Sequence, residues 1–266
     1  MATFGFIGTG AMGGALARAV CRKVPADQVF LANRTAAKAV ALAEELGCRT
    51  ADNGAIAQNT DFIFLGVKPA MLEGVLAELA PALAARQTPF VLVSMAAGVG
   101  LDQVARYAGG DYPSIRIMPN TPCSIGEGMI LYTCGNTVDR EAEKLFLSAL
   151  SGAGRLLPLP EGLMDAGTAV SGCGPAFVDL FLESLADGGV ACGLPRAAAQ
   201  ELAAQTVLGA AKLLLSSGTH PGVLKDAVCS PGGSTIQGVR TLEEAGFRGA
   251  VMNAVIASWE KSKALA

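Results

Sequence analysis

The chain has 266 residues, a net charge of −3, seven cysteines and a single histidine; half of it is apolar, with few aromatics. Near-neutral charge without long charged runs argues against nucleic acid or an anionic membrane as a partner. Seven scattered cysteines, never spaced C-x-x-C, argue against a disulfide frame or a zinc site and fit reduced thiols in a cytoplasmic protein. The one histidine, His220, precedes Pro221 and reads as a helix start, so no metal centre is expected.

Met1–Ala17 carries no charge, but it lacks a basic start and is interrupted by Gly5, Gly8, Gly10, Gly13 and Gly14. It therefore reads as structure rather than as a secretory leader. No uncharged stretch reads as a transmembrane helix. Short apolar runs predict strands at Thr3–Ile7, Gln28–Leu31, Phe62–Val67, Phe90–Ser94 and Ser114–Met118. Between them, the spacing predicts helices over Ala11–Lys23, Thr35–Leu46 and Ala70–Ala84, with a short one near Gly100–Tyr107. Continuous apolar runs such as Phe62–Val67 suit strands buried on both faces. The alternation of strand and helix predicts an α/β fold with a parallel, doubly wound sheet. Gly128–Cys134, Asp139–Ser151 and Arg155–Leu157 predict a strand, a helix and a strand that close this unit.

Gly8-Thr9-Gly10-Ala11-Met12-Gly13 fits G-x-G-x-x-G. It directly follows a predicted strand and opens a helix whose inner face is Met12, Leu16 and Val20, the context a dinucleotide-binding turn requires. Gly8 permits the tight turn, Gly10 lets the backbone approach a pyrophosphate, and Gly13 lets helix and strand pack closely. The helix N-terminus offers N–H groups and a positive dipole end to the phosphates. The second strand ends in Asn33-Arg34-Thr35, and no acid follows where an NAD-binding chain usually carries one. Arg34 suits pairing with a ribose 2′-phosphate, with Asn33 and Thr35 as hydrogen-bonding neighbours. NADPH is thus the expected cofactor and NADH a weaker donor. Read without a ligand, Arg34 is a surface charge and Thr35 a helix N-cap. Val67-Lys68-Pro69 and Ala96-Ala97-Gly98 follow two further strands, at the carboxyl edge where ligands bind in open α/β sheets. Small residues at 96–98 leave room for a flat nicotinamide ring; by position alone, each segment is equally an ordinary strand-to-helix turn.

Pro158-Leu159-Pro160 stops regular structure and places a domain boundary there. Residues 1–157 form the dinucleotide-binding domain, and residues 158–266 read as helical. Breaks fall at Ser171–Pro175, Gly193–Pro195, Gly218–Pro221, Ser230–Gly233 and Gly246. After Pro175, Asp179, Glu183 and Asp187 recur every four residues and form one narrow solvated stripe. The rest of that helix is apolar, so it must be buried on several sides. A small helical unit has a limited interior, and part of this surface is expected against a second subunit, in a homodimer at least. Further on, Gly232-Gly233 opens another helix. The N–H groups of Gly233, Ser234 and Thr235 are expected to converge on an anion, with the hydroxyls of Ser230, Ser234 and Thr235 as added donors. The plain alternative is a helix start with a Ser or Thr cap.

Several of these segments, together with two more, carry a family resemblance. They are Phe4-Gly5-Phe6-Ile7-Gly8, Val67-Lys68-Pro69, Ala96-Ala97-Gly98, Met118-Pro119-Asn120-Thr121-Pro122, Ser171-Gly172-Cys173-Gly174-Pro175-Ala176, Ala186-Asp187-Gly188-Gly189 and, most specific, Ser230-Pro231-Gly232-Gly233-Ser234-Thr235. Over essentially its whole length the chain resembles pyrroline-5-carboxylate reductase, the enzyme of the last step of proline synthesis. Cys173 stands where that family often has Ser, and Ser234 where it often has Thr or Ala. The resemblance implies an N-terminal Rossmann-type doubly wound parallel sheet followed by an all-helical C-terminal dimerisation domain. It implies active sites at the dimer interface and often rings of dimers. It further implies that Ser230, Gly232, Gly233, Ser234 and Thr235 hold the carboxylate of pyrroline-5-carboxylate. Asn120 would border nicotinamide and substrate, and Asn53 would reach the adenosine part of NADPH.

The implied reaction passes hydride to the carbon of a cyclic imine and yields proline. An imine bound already protonated needs no strong acid, so the work is positioning and charge placement. Thr235 is the residue expected at the ring nitrogen, as donor or through water; an unperturbed alcohol is a poor general acid. Two other readings compete. A reductase of another small imine or hydroxy acid, like the β-hydroxyacid dehydrogenases, expects a lysine that Ser171–Leu182 lacks. An NADP-binding redox sensor would not need the anion-binding loop at Ser230–Thr235.

Overall fold

The computed structural model describes residues 1–264. They fall into two compact units, Met1–Cys173 with the described residues from Ser258 on, and Gly174–Ala257. In the first, β1 (Phe4–Ile7) leads into α1 (Ala11–Cys21). Then come β2 (Val29–Ala32), α2 (Ala36–Leu46), β3 (Arg49–Thr50), α3 (Asn53–Asn59), β4 (Phe62–Leu65), α4 (Pro69–Ala84), β5 (Val91–Ser94) and α5 (Leu101–Ala108). The unit continues with β6 (Ser114–Met118), β7 (Gly128–Cys134), α6 (Arg140–Leu150), β8 (Gly154–Pro158) and α7 (Met164–Ser171).

The strands form one sheet in the order β3-β2-β1-β4-β5-β6-β7-β8. Side chains alternate across it. Phe4, Phe6, Phe62, Phe64, Val91 and Val93 face α1, α2 and α6, while Ile7, Ile63, Leu65 and Leu92 face α3, α4 and α5. Cross-strand stacking of Phe4 on Phe62 (5.1 Å) and of Phe6 on Phe64 (4.5 Å) centres the first layer. Each buried phenylalanine contributes about 1.5–3 kcal/mol. Apolar on both faces, these strands are the doubly wound sheet that the sequence predicts.

Two features differ from the expectation. β6 and β7 pair antiparallel, whereas the other pairings are parallel. Their link is a short 3₁₀ turn over Thr121–Ile125, and a parallel return needs a crossover of about a dozen residues. β3 and α3 were not anticipated at all. β3 has only two exposed residues, and Asp52-Asn53-Gly54 reads as a turn. In the fold the Asp52 carboxylate accepts the Ala55 N–H at 2.7 Å and caps α3.

Pro158, the last paired residue of β8, and Pro160 end regular pairing but not packing. Met164 is fully buried against Met118 and Leu131. Arg116 of β6 is 4% exposed and pairs with Asp165 at 2.9 Å and with Glu161 at 3.7 Å. Glu161 in turn accepts the Leu101 N–H at 2.7 Å, at the start of α5. These contacts keep α7 with the sheet, and the compact units divide at Cys173/Gly174.

In the second unit, α8 (Gly174–Ala191) and α9 (Arg196–Ser217) are followed by α10 (Pro221–Ala227) and α11 (Ser234–Glu244); α12 (Phe247–Lys263) ends the described helices. Small residues bring α8 and α9 together through Ala186, Ala199 and Ala203, the unit's buried hydrophobic residues. Leu180, Leu202, Leu208, Leu213, Leu215 and Met252 are each more than half exposed. The run Glu161–Ala191 is long and apolar enough to cross a membrane by length and composition only, although it carries five acidic residues. It is built from separate helices rather than one rod, with a break at Gly172-Cys173. The apolar surface also extends to α9, beyond the α8 face that the sequence singled out. Asp179, Glu183 and Asp187 lie in solvent as expected.

Candidate active site

The strand order reverses between β1 and β4, and this opens a crevice at the carboxyl ends of the parallel strands. Gly8 takes φ +99° there, and its N–H donates to the Ala32 carbonyl at 2.8 Å. A Cβ on Gly8 would lie 2.5 Å from the Gly66 carbonyl oxygen, so the ends of β1 and β4 meet backbone to backbone. Gly13 closes the same contact from α1. At Gly10 an added Cβ would meet nothing within 4 Å, and the outer side of the turn is open. Gly10 is the N-cap of α1, no side chain caps that helix, and its first turn holds no acid. Its leading N–H groups therefore face the opening with a positive dipole end. Thr9 adds a second signal: its hydroxyl is buried and has no partner among the described residues. An anion with acceptor oxygens at this turn would satisfy both. The residues present fit a dinucleotide pyrophosphate.

Beside the turn lies a cleft of about 570 Å³ lined by Asn33, Arg34, Thr50, Ala51, Asp52 and Asn53, among others. Asn33 ties its parts together. Its Oδ1 accepts the Thr9 N–H at 3.1 Å and its Nδ2 donates to the Thr35 carbonyl at 3.1 Å. Thr35 stands at the N-cap of α2, but its hydroxyl makes no capping bond. Arg34 is exposed; its guanidinium approaches the Met71 sulfur at 3.9 Å and meets no carboxylate among the described residues. Asn53 is the first residue of α3, half-buried in the same cleft. Asp52 is a cleft residue that the sequence reading missed. The signal was present, an Asp at helix-capping distance from Ala55, but the following Asn-Gly masked it. Its Oδ1 is turned onto the α3 amides.

At the end of β4, Lys68 is the exposed N-cap of α4, Pro69 its first residue and Val67 half-buried. After β5, Ala96 is buried, Ala97 exposed and Gly98 at φ +74°. Asn120 follows β6 and is 9% exposed. Its Oδ1 accepts the Met129 N–H and its Nδ2 donates to the Ser171 carbonyl, both at 2.9 Å. The amide thus pins β7 and α7 to the end of β6, a structural role that the resemblance did not imply. Burial pushes the nearby Cys123 thiol above its ordinary pKa. The Arg116–Asp165–Glu161 cluster was likewise absent from the sequence reading, because its partners are far apart in the chain.

In the second unit His220 caps α10, with its Nδ1 accepting the Gly222 N–H at 3.1 Å, the helix-start role read from sequence. Ser230, Gly232, Gly233, Ser234 and Thr235 share one turn. Gly232 takes φ +68°, and the Gly233 N–H donates to the Ser230 carbonyl at 3.0 Å. Gly233 is the N-cap of α11, again without a side-chain capping bond, and Ser234 and Thr235 are its first, exposed residues.

Comparison with known proteins places both units. The family model described as pyrroline-5-carboxylate reductase dimerisation matches residues 161–265. The model described as NADP oxidoreductase coenzyme F420-dependent matches residues 3–98. A pyrroline-5-carboxylate reductase of Glycine max is 40% identical over 99% of this chain and 96% of its own length. That of Escherichia coli (strain K12) is 41% identical over 98% and 97%. The structure of a pyrroline carboxylate reductase from Plasmodium falciparum with NADP bound is 33% identical, with a TM-score of 0.85, over 99% of this chain and 97% of that one.

Proposed function

The chain belongs to the pyrroline-5-carboxylate reductase family, and from that premise we propose how its residues divide the work. It is an NADPH-dependent oxidoreductase that reduces the cyclic imine 1-pyrroline-5-carboxylate to L-proline, the last step of proline biosynthesis. NADPH supplies the hydride when bound.

The observation that carries the cofactor assignment is the uncapped start of α1 beside the buried, unpartnered Thr9 hydroxyl. Gly8, Thr9, Gly10, Ala11, Met12 and Gly13 hold the pyrophosphate. Arg34 and the free Thr35 hydroxyl take the 2′-phosphate, with Asn33 holding the segment in place and Asn53 on the adenosine. Val67, Lys68, Pro69, Ala96, Ala97 and Gly98 border the nicotinamide half. The Asp52 carboxylate in the same cleft is oriented by the Ala55 N–H at the start of α3.

Ser230, Gly232, Gly233, Ser234 and Thr235 hold the substrate carboxylate. Support comes from the glycine N-cap, which leaves the leading α11 amides without a side-chain acceptor. Thr235 orients the ring nitrogen. Asn120 shapes the wall by fixing β7 and α7 rather than by offering a free amide. The exposed leucines of α8 and α9 support the homodimer. A ring of such dimers and a cytoplasmic location, the latter suited to seven free thiols, complete the proposal.

The test is NADPH oxidation with pyrroline-5-carboxylate, comparing wild type with Thr235→Ala. Loss of one hydrogen bond at the reacting group lowers kcat/KM by about 10- to 100-fold. Unchanged kcat/KM in the variant refutes the role given to Thr235. Absence of wild-type turnover, with NADPH bound and the fold intact, refutes the assignment as a whole.

A further inference from the structure

Cys21 closes α1, and Cys48 follows α2 just before β3. Their Sγ atoms are 3.2 Å apart and both residues are half-buried. A disulfide measures about 2.05 Å, so bonding needs a closure of little more than about 1 Å. No other pair of cysteine sulfurs approaches this closely among the described residues. The backbones are already in register. Three residues before each cysteine, Arg18 and Glu45 form a two-point ion pair at 2.6 and 2.7 Å that clamps α1 to α2. Cys48 is fixed by its own N–H, which donates to the Ala43 carbonyl at 3.0 Å after the left-handed Gly47.

We infer that Cys21 and Cys48 form a redox modification site, a dithiol that a peroxide converts reversibly to an intramolecular disulfide. The site is separate from the cofactor turn and from the Ser230–Thr235 loop, and does not depend on the roles proposed for them. The two sulfurs share one hydrogen bond, which holds the Cys48 pKa below the usual thiol value and raises that of Cys21. The Cys48 thiolate attacks one oxygen of the peroxide and the O–O bond breaks. Cys48 becomes a sulfenic acid, and the other oxygen leaves with a proton as water or an alcohol. The Cys21 sulfur then attacks the sulfenic sulfur. The S–S bond forms, the S–O bond breaks, and the hydroxyl leaves with the Cys21 proton as water. The thiols lose two electrons and the peroxide gains them. The bond ties the end of α1 to the segment that enters β3, whose two exposed residues lead straight into the Thr50–Asn53 wall of the adenosine cleft.

The experiment treats the intact reduced enzyme with stoichiometric hydrogen peroxide, followed by non-reducing peptide mapping. The expected products are a Cys21–Cys48 linked peptide and a mass loss of about 2 Da, both reversed by dithiothreitol, with a rise of several degrees in Tm. In Cys21→Ser, Cys48 stops at a sulfenic acid that dimedone traps; in Cys48→Ser, no sulfenic acid appears at Cys21. Thiols that stay free, oxidation to sulfinic acid without the linked peptide, or a link between two copies each overturns the inference.

Discussion

Replacing Gly10, Gly13 and Gly14 by alanine, one at a time, separates packing from cofactor binding within a single turn. A methyl carbon at Gly13 would lie 2.0 Å from the Gly8 carbonyl oxygen, where ordinary contact begins near 3.4 Å. The obstacle is backbone and cannot rotate away, so α1 must retreat from β1 by more than about 1 Å, an overpacking that costs about 1–3 kcal/mol. The better helix propensity of alanine offsets about 1 kcal/mol of this. The leading amides of α1 move by the same distance, and a misplacement of that size weakens their work by about 100-fold. At Gly14 the nearest atom is the flexible Arg18 Nη1 at 3.4 Å. That variant should bind NADPH normally and gain up to about 1 kcal/mol. At Gly10 an added methyl meets no protein atom, and the N-cap change costs no more than about 1 kcal/mol. NADPH affinity should nonetheless fall by at least about 10-fold, because the methyl stands where the pyrophosphate approaches. NADPH fluorescence titration and urea unfolding on the three variants read both quantities. Wild-type NADPH affinity in Gly10→Ala or in Gly13→Ala would refute this account of the turn.

Arg34→Ala should raise the KM for NADPH by roughly 10- to 100-fold, the worth of charge-assisted hydrogen bonds, and leave NADH kinetics almost unchanged. An unaltered NADPH/NADH ratio of kcat/KM counts against the 2′-phosphate role. Burial and the Glu143 carboxylate at 3.1 Å push the Tyr132 phenol up to about 12. The raised value means that the folded state keeps this proton longer than the unfolded chain, which loses it near 10. The resulting stabilisation, at most about 2–3 kcal/mol, is complete below about pH 10 and lost as pH rises towards 12. The urea-stability gap between wild type and Tyr132→Phe should therefore shrink across that window; a constant gap refutes it. Leu208 and Leu215 of α9 are 55% and 63% exposed and lie seven residues apart on one helical face. Charging both with glutamate should shift sedimentation from dimer to monomer, and an intact dimer at micromolar concentration would exclude this face from the interface.

Much of the fold was legible because it rests on local rules. Strands buried on both faces must be continuously apolar, and a turn that brings backbone against backbone must be glycine; Phe62–Leu65 and Gly8–Gly13 show each rule. The uncapped glycine start at Gly233 was equally legible, since an N-cap is read from a few consecutive residues. Elements below the length at which periodicity can be read, β3 and α3, were not, and Asp52 was overlooked with them. The antiparallel entry of β7 depends on a short link at Thr121–Ile125 that carries no pattern of its own.

The chain by itself determined the layered sheet, a glycine turn that fits a dinucleotide and the surplus apolar surface that calls for a second subunit, because each follows from residue type and spacing. Only the tertiary structure decided which polar groups are engaged. Asn120 is held by Met129 and Ser171, Arg116 by Asp165 and Glu161, and Cys21 meets Cys48. The physical reason is the same in each case. A hydrogen bond, an ion pair or a sulfur contact forms when atoms come within a few ångströms, and residues distant in sequence reach that distance only after the sheet and its helices have packed.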